Sequence, residues 1–292
     1  MAAAAMSRLP VLMYHGLHDG PAAGAKAAPL HARRAALSTG DAAGGDADAV
    51  IDTPHVDNLH FDAVYSVAPD AFARHLDALL ADGWHTVLSD AADAQRGARA
   101  LVISFDDGDL SNRTVALPAL LARGMVAEFF ITSDFIGQPG MLTAADVRAL
   151  ADAGMGIGGH GRSHAFLEDL DADALAAELR ESRARLSAII GRPVTSMALP
   201  GGRGGDREHA AALDAGYRSL YGSVPGINRG ARDDTWRQRI AVTRGTAVDD
   251  VLAMVNWRGL RPRIARARFT ALSWPKRLLG NARYQRLREA LL

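Results

Sequence analysis

Two short clusters carry residue types that can hold a divalent cation and move a proton beside it. The first is Ser104-Phe105-Asp106-Asp107-Gly108 and the second is Gly159-His160-Gly161-Arg162-Ser163-His164. Zinc commonly takes imidazole nitrogen and carboxylate oxygen, and a catalytic site uses three protein ligands and keeps one position open. Asp107, His160 and His164 can supply such a set. Asp106 then stands beside the ion with no ligand duty, where a carboxylate can take the proton of an attacking water. Consecutive side chains at a strand end diverge, so two adjacent Asp residues can divide these tasks. Each cluster also has a plainer reading. Asp-Asp-Gly after a strand is a favoured turn, and two histidines four apart are often surface residues. The combination is sharper, because both clusters follow strand-like segments, Leu101-Val102-Ile103 and Met155-Gly156-Ile157-Gly158. Functional groups in α/β folds gather at such strand ends.

The elements that must position these residues are visible as periodic segments. Residues 69–82 read as an amphipathic helix, with Phe72, Leu76, Leu79 and Leu80 inward and His75 on its surface. Residues 114–123 form a helix whose regular part Pro118 limits. Residues 143–152 form a helix with Thr143 as cap and Asp146 three positions on. A longer helix over 171–190 is ended by Gly191 and Pro193. Further helices are expected over 206–215 and 248–256, and strands over 84–88, 127–132, 195–199, 217–221 and 239–242. Strands alternating with helices imply an α/β protein with a mostly parallel sheet.

The two clusters and the text between them resemble the NodB-type polysaccharide deacetylase family. Its Asp-Asp-Gly motif matches Asp106-Asp107-Gly108, and its His-Ser/Thr-x-x-His motif matches His160 and His164, with Gly161 in place of Ser or Thr. Glu128-Phe129-Phe130-Ile131-Thr132 and Leu142-Thr143 also resemble the family, and the likeness runs from about Leu9 to Asn256 outside one inserted stretch. The resemblance implies a distorted (β/α) barrel, metal ligands Asp107, His160 and His164, and Asp106 as base. It also implies an oxyanion site at Pro200-Gly201, where the Gly201 N–H can donate. The family's base-orienting Arg falls on Ala198, so Arg203, Arg237 or Arg239 must substitute if the base is oriented at all. Its C-terminal Leu-x-His is absent, since no His follows His209. Pro10-Val11-Leu12-Met13-Tyr14-His15 resembles instead the circularly permuted, exopolysaccharide-modifying type, in which His15 would protonate the leaving amine. His18 is the rival for that role.

Composition bounds the rest. The chain has 292 residues, 48% hydrophobic and 23% charged, with no net formal charge and no cysteine. A disulfide framework and a thiolate metal site are excluded. Residues 1–257 are expected to form the barrel, with Gly20 to Asp57, rich in Ala, Gly and Asp, as an inserted loop near His15. His31, His55 and His60 in or near it read as surface residues. Residues 258–292 form a basic extension: ten Lys or Arg against one acid, Glu289, with apolar residues interleaved. Such a segment either packs as a terminal helix with a solvated basic face or lies on an anionic membrane. The start does not read as a signal peptide, so a cytoplasmic location is expected, with peripheral membrane contact as an option. No motif points to nucleic acid. The expected activity is metal-dependent N-deacetylation of an acetylated glycan, with zinc foremost among the divalent metals. The alternatives are an inactive glycan-binding barrel and a small-molecule amidase or esterase on the same metal site.

Overall fold

A computed structural model describes residues 8–19, 64–88, 99–229 and 236–279. The expected insertion over 20–57 and His60 lie outside the described residues.

The strands, in chain order, are β1 (Arg8–Leu9), β2 (Val11–Tyr14), β3 (His85–Thr86), β4 (Ala100–Phe105), β5 (Glu128–Ile131), β6 (Gly156–Gly159), β7 (Ser196–Ala198), β8 (Ser219–Tyr221), β9 (Asn228–Arg229), β10 (Trp236–Arg237) and β11 (Ile240–Ala241). The helices are α1 (Pro69–Ala81), α2 (Leu117–Leu121), α3 (Ala144–Asp152), α4 (Ala172–Ile190), α5 (Asp206–Asp214), α6 (Val248–Val255) and α7 (Arg261–Leu279). The single helix expected over 114–123 is split. A π-helical turn, Asn112–Ala116, precedes α2, and Pro118 stands in the first turn of α2, where its missing N–H costs nothing. The capping signals are built as read. Thr143 and Asp146 form a reciprocal capping box on α3, and Gly191 closes α4 in the left-handed conformation.

All pairings in the large sheet are parallel, in the order β10-β8-β7-β6-β5-β4-β2-β11. Its two edge strands, β10 and β11, are nearly adjacent in sequence, joined by Gln238 and Arg239 alone. Three residue steps span at most about 10 Å, so the sheet must curl until its edges almost meet. The result is the barrel the resemblance implies. Strand residues alternate across the wall with period two. Leu101, Ile103 and Phe105 of β4 pack outward with the helices, whereas Ala100 and Val102 join Val11, Phe130, Ala198 and Tyr221 in the inner cluster. The Gly-rich β6 follows from this packing. A Cβ on Gly158 would lie 2.4 Å from the Phe130 ring, so no larger residue fits.

Two expectations for α1 need correction. Leu80 is 40% exposed, because it falls one residue, and so about 100° of helix rotation, beyond Leu79, at the edge of the buried stripe. His75 is buried, not on the surface. Its Nε2 lies 3.0 Å from the Thr246 carbonyl and its Nδ1 3.2 Å from the Tyr14 hydroxyl. The polar ring is tolerated inside because both nitrogens are paired.

In α7 Pro262 is buried and Phe269 half-buried, while Arg263, Arg266 and Arg268 are exposed. No described helix is long and apolar enough to cross a membrane.

Candidate active site

The chemistry-bearing side chains collect at the C-terminal ends of β2, β4, β6 and β7, the end where parallel barrels carry their sites. Period two along β4 puts Ala100, Val102, Ser104 and Asp106 on the inner side. Asp107 follows with a left-handed backbone, φ +75°, and His164 has φ +64°. Only four non-glycine described residues have positive φ, and two of them are proposed ligands. Such backbones each cost on the order of 1–3 kcal/mol and persist where the surroundings enforce them. The loop after β5 ties down Asp107 and the His160 end of the second cluster. Thr132 N–H donates to the Asp107 carbonyl at 3.2 Å, and Thr132 Oγ1 donates to the His160 carbonyl at 3.2 Å. Ser133 and Asp134 N–H donate to the carbonyls of Gly161 and Arg162.

Asp107, His160 and His164 present one ligand atom each, all within 4.8 Å of one another. Asp107 Oδ1 is 3.3 Å from both His160 Nε2 and His164 Nε2. His160 Nδ1 lies 2.9 Å from the Ala198 carbonyl, which accepts the Nδ1 proton and leaves a lone pair on Nε2. That lone pair faces Asp107 Oδ1, a buried oxygen to which no geometrically sound hydrogen bond is made. Acceptors turned on each other in this way fit a cation between them. A carbonyl behind a ligating His is also the usual outer support of a metal site. The residues therefore fit a divalent metal. Burial raises the Asp107 pKa, but the neighbouring His160 and His164 outweigh it and hold the carboxyl well below its ordinary range.

Asp106 is buried and gripped by a bidentate fork. Arg239 Nη1 donates to Oδ1 at 2.6 Å and Nη2 to Oδ2 at 2.8 Å. Arg239 Nε donates to the Gly222 carbonyl at 2.8 Å, which fixes the plane of the guanidinium. Burial alone would raise the Asp106 pKa. The charges of Arg239 and His160 reverse that, and it lies below its ordinary value. Of the three candidate arginines, Arg239 is the one that grips Asp106. Arg203 and Arg237 do not. Arg203 stacks on the Phe166 ring at 4.2 Å, and Arg237 lies over Tyr221 at 5.7 Å. Arg203 is half-buried in the turn that follows β7.

His15 follows β2, next to β4 in the sheet. Its ring stacks on Tyr65 at 4.6 Å, and its buried Nδ1 has no protein hydrogen-bond partner among the described residues. It is one of the charges that lower the pKa of both Asp106 and Asp107, so it lies within electrostatic reach of both. His18 is engaged elsewhere, with Nε2 3.0 Å from Asp109 Oδ2. Pro200 and Gly201 follow β7, beside His160. Gly201 is exposed, with φ +64°, and a Cβ there would come within 2.7 Å of the Phe166 ring. Phe166 fills the space a side chain at Gly201 would claim.

Sequence reading missed Tyr65, Phe135, Phe166 and Glu178. Phe135 stacks on His164, with ring centroids 6.0 Å apart. Of these, Glu178 alone carried a legible signal, a charged residue on the Leu175, Leu179, Ser182, Leu186 stripe of α4.

Comparison with known proteins agrees with this fold. Residues 93–220 match the family described as polysaccharide deacetylase. YxkH of Bacillus subtilis, named as a polysaccharide deacetylase, is 27% identical over 161 residues, 53% of this chain and 58% of its own length. The chain thus spans less than two thirds of that relative. The polysaccharide deacetylase BA0330 of Bacillus anthracis has a similar structure, with TM-score 0.67 at 20% identity over 86% of this chain and 69% of that one. IcaB of Ammonifex degensii has TM-score 0.64 at 20% identity, over 85% of this chain and 97% of its own.

Proposed function

We propose, for a chain whose residues 93–220 form a polysaccharide deacetylase domain, that the site removes acetyl groups from the nitrogen of an acetylated glycan. The observation that carries this reading is the pairing of an Asp-His-His cluster with an adjacent, Arg-held Asp106 that stands outside it. A divalent ion held by Asp107, His160 and His164, with zinc best suited to this donor set, supplies Lewis acidity toward the acetyl carbonyl and acidifies water near neutral pH.

The protein groups do the rest. Asp106 accepts a proton from the water that attacks the acetyl carbon, and Arg239 keeps its carboxylate ionised and aimed. The Gly201 N–H donates to the carbonyl oxygen as that atom gains negative charge. His15 gives a proton to the nitrogen as the C–N bond breaks, so acetate and a free amine leave. The Arg239 fork weighs against an inactive barrel, because a binder has no use for an oriented, unligated carboxylate.

The test is acetate release from N-acetylated oligosaccharides, before and after chelation and with zinc restored. Activity lost to the chelator and regained with zinc is expected. Stoichiometric zinc with no acetate from any acetylated sugar would overturn the reading.

Peripheral contact of residues 258–292 with an anionic membrane belongs to the same reading. Leu260 and Ile264 are 71% and 51% exposed and sit among exposed Arg263 and Arg268, which supports it. Co-sedimentation with anionic but not neutral vesicles is expected. Equal recovery in both supernatants would refute it.

A further inference from the structure

The loop from His160 to His164 carries two of the three cluster residues, and its two ends are held differently. The His160 end is stitched by backbone. His160 N–H donates to the Ile131 carbonyl at 3.0 Å, and the Gly161 and Arg162 carbonyls accept from the loop after β5. The His164 end rests on a side chain from another element. Glu178 of α4 accepts the Ser163 N–H on Oε1 at 2.6 Å, and both its oxygens lie 3.0 Å from Ser163 Oγ. Glu178 is buried, 2% exposed. A buried carboxylate is tolerated when it is hydrogen-bonded, and these bonds to an ionised acceptor are of the stronger kind. Ser163 directly precedes His164, whose left-handed backbone would relax if released.

Gly161 makes room for this arrangement. A Cβ there would lie 3.0 Å from Glu178 Oε1 and 3.3 Å from Pro200 Cγ, on a backbone with φ +74°. The position that carries Ser or Thr in the resembling motif is therefore vacated, and the carboxylate of Glu178 braces the loop from outside it.

We propose that Glu178 is a positioning residue for His164, holding the loop so that the His164 imidazole faces Asp107 and His160. The inference rests on the reading of that cluster as a divalent metal site. Glu178 does not itself touch the ion. Its effect on affinity runs through Ser163, and loss of such outer supports typically weakens metal binding 10- to 100-fold.

The experiment is cobalt titration of the chelator-stripped protein, followed by the visible absorption of bound cobalt, for wild type, Glu178→Ala, Glu178→Gln and Ser163→Ala. Titrations run well below the melting temperature of each metal-free variant. Glu178→Ala should bind about 10- to 100-fold more weakly. Its altered cobalt spectrum should return toward wild type at saturating metal, as would turnover. Because each metal-free variant is folded at the titration temperature, general destabilisation does not account for the weaker affinity. Ser163→Ala, which keeps the N–H, should lose about two- to tenfold, the scale of one hydrogen bond. Glu178→Gln should fall between them, because it retains one acceptor. Wild-type affinity and spectrum in a folded Glu178→Ala would overturn the proposal. If Glu178→Ala does not fold, wild-type affinity in both Glu178→Gln and Ser163→Ala would overturn it. Failure of the wild type to bind cobalt would sink the metal reading instead.

Discussion

Asp107, His160 and His164 come from the ends of β4 and β6 and lie within one stretch of ordinary βα units. The groups around Asp106 come from the extremes of the chain, with Arg239 separated from Asp106 by 133 positions and His15 supplied by the first long strand. The first wall of the site is held by backbone bonds from the neighbouring loop and, at its His164 end, by Glu178 of α4. The second depends on the closure of the barrel, since Arg239 sits in the two-residue seam between β10 and β11. On the proposed reading, the metal ligands come from strands one apart in the sheet, while the groups that handle protons come from wherever the closed sheet brings them. A change in the first wall should remove metal. A change in the second should leave metal in place and alter proton transfer.

The largest effect is expected for Asp107→Ala, which breaks the first wall. Elemental analysis should find the ion lost and acetate release at background. Full metal occupancy in this variant would erase the distinction between the walls.

Asp106→Asn breaks the second wall alone. Metal content should match wild type, while turnover falls by about 10²- to 10⁴-fold, the usual contribution of a general base. Loss of metal would make Asp106 a ligand.

Arg239→Ala sharpens the contrast by leaving Asp106 buried and unpaired. Truncating one partner of a buried pair typically costs about 3–5 kcal/mol. Arg123 and Asp77 form an equally close fork on the surface, at 2.7 and 3.0 Å. Arg123→Ala should cost far less, because solvent screens that exposed pair. Denaturant titration separates the two. Arg239 lowers the Asp106 pKa against burial, so its loss should also move the acid limb of kcat/KM to higher pH. Equal destabilisation by the two variants, with an unmoved acid limb, would argue against the assigned role.

His15→Ala should lower turnover about a hundredfold on acetamides, whose amine must be protonated to leave. Aryl acetates, with good leaving groups, should be affected far less. Equal losses on both would refute the acid role and direct attention to His18.

The smallest effect concerns the wall's support. His75 beneath Tyr14 is pushed below its ordinary pKa, chiefly by burial, only partly offset by the Thr246 carbonyl. The folded state thus holds it neutral, while the unfolded chain protonates it below about pH 6.5. Its contribution to stability is complete above that pH and declines as pH falls toward the folded value. The melting temperature of wild type should drop more steeply between about pH 7 and 5 than that of His75→Gln. Parallel pH profiles would exclude His75 as the source.

Local signals settled much of this protein from sequence. Alternating strands and helices, the Thr143 capping box, the Gly191 stop and each cluster taken by itself, Asp106-Asp107 and His160 with His164, all depend on neighbours within a few residues, so the chain alone displays them. The environment of His75 was not legible, because helical period cannot reveal that Tyr14 and Thr246 arrive to pair both ring nitrogens. Nor could it reveal that Phe166 fills the space before Gly201. Arg203, Arg237 and Arg239 are equivalent as letters. Only closure of the parallel sheet, which turns the seam at Gln238–Arg239 against the end of β4, decides that Arg239 meets Asp106. A contact made across the whole chain is chosen by the packing of the closed barrel and leaves no mark on the spacing of nearby residues.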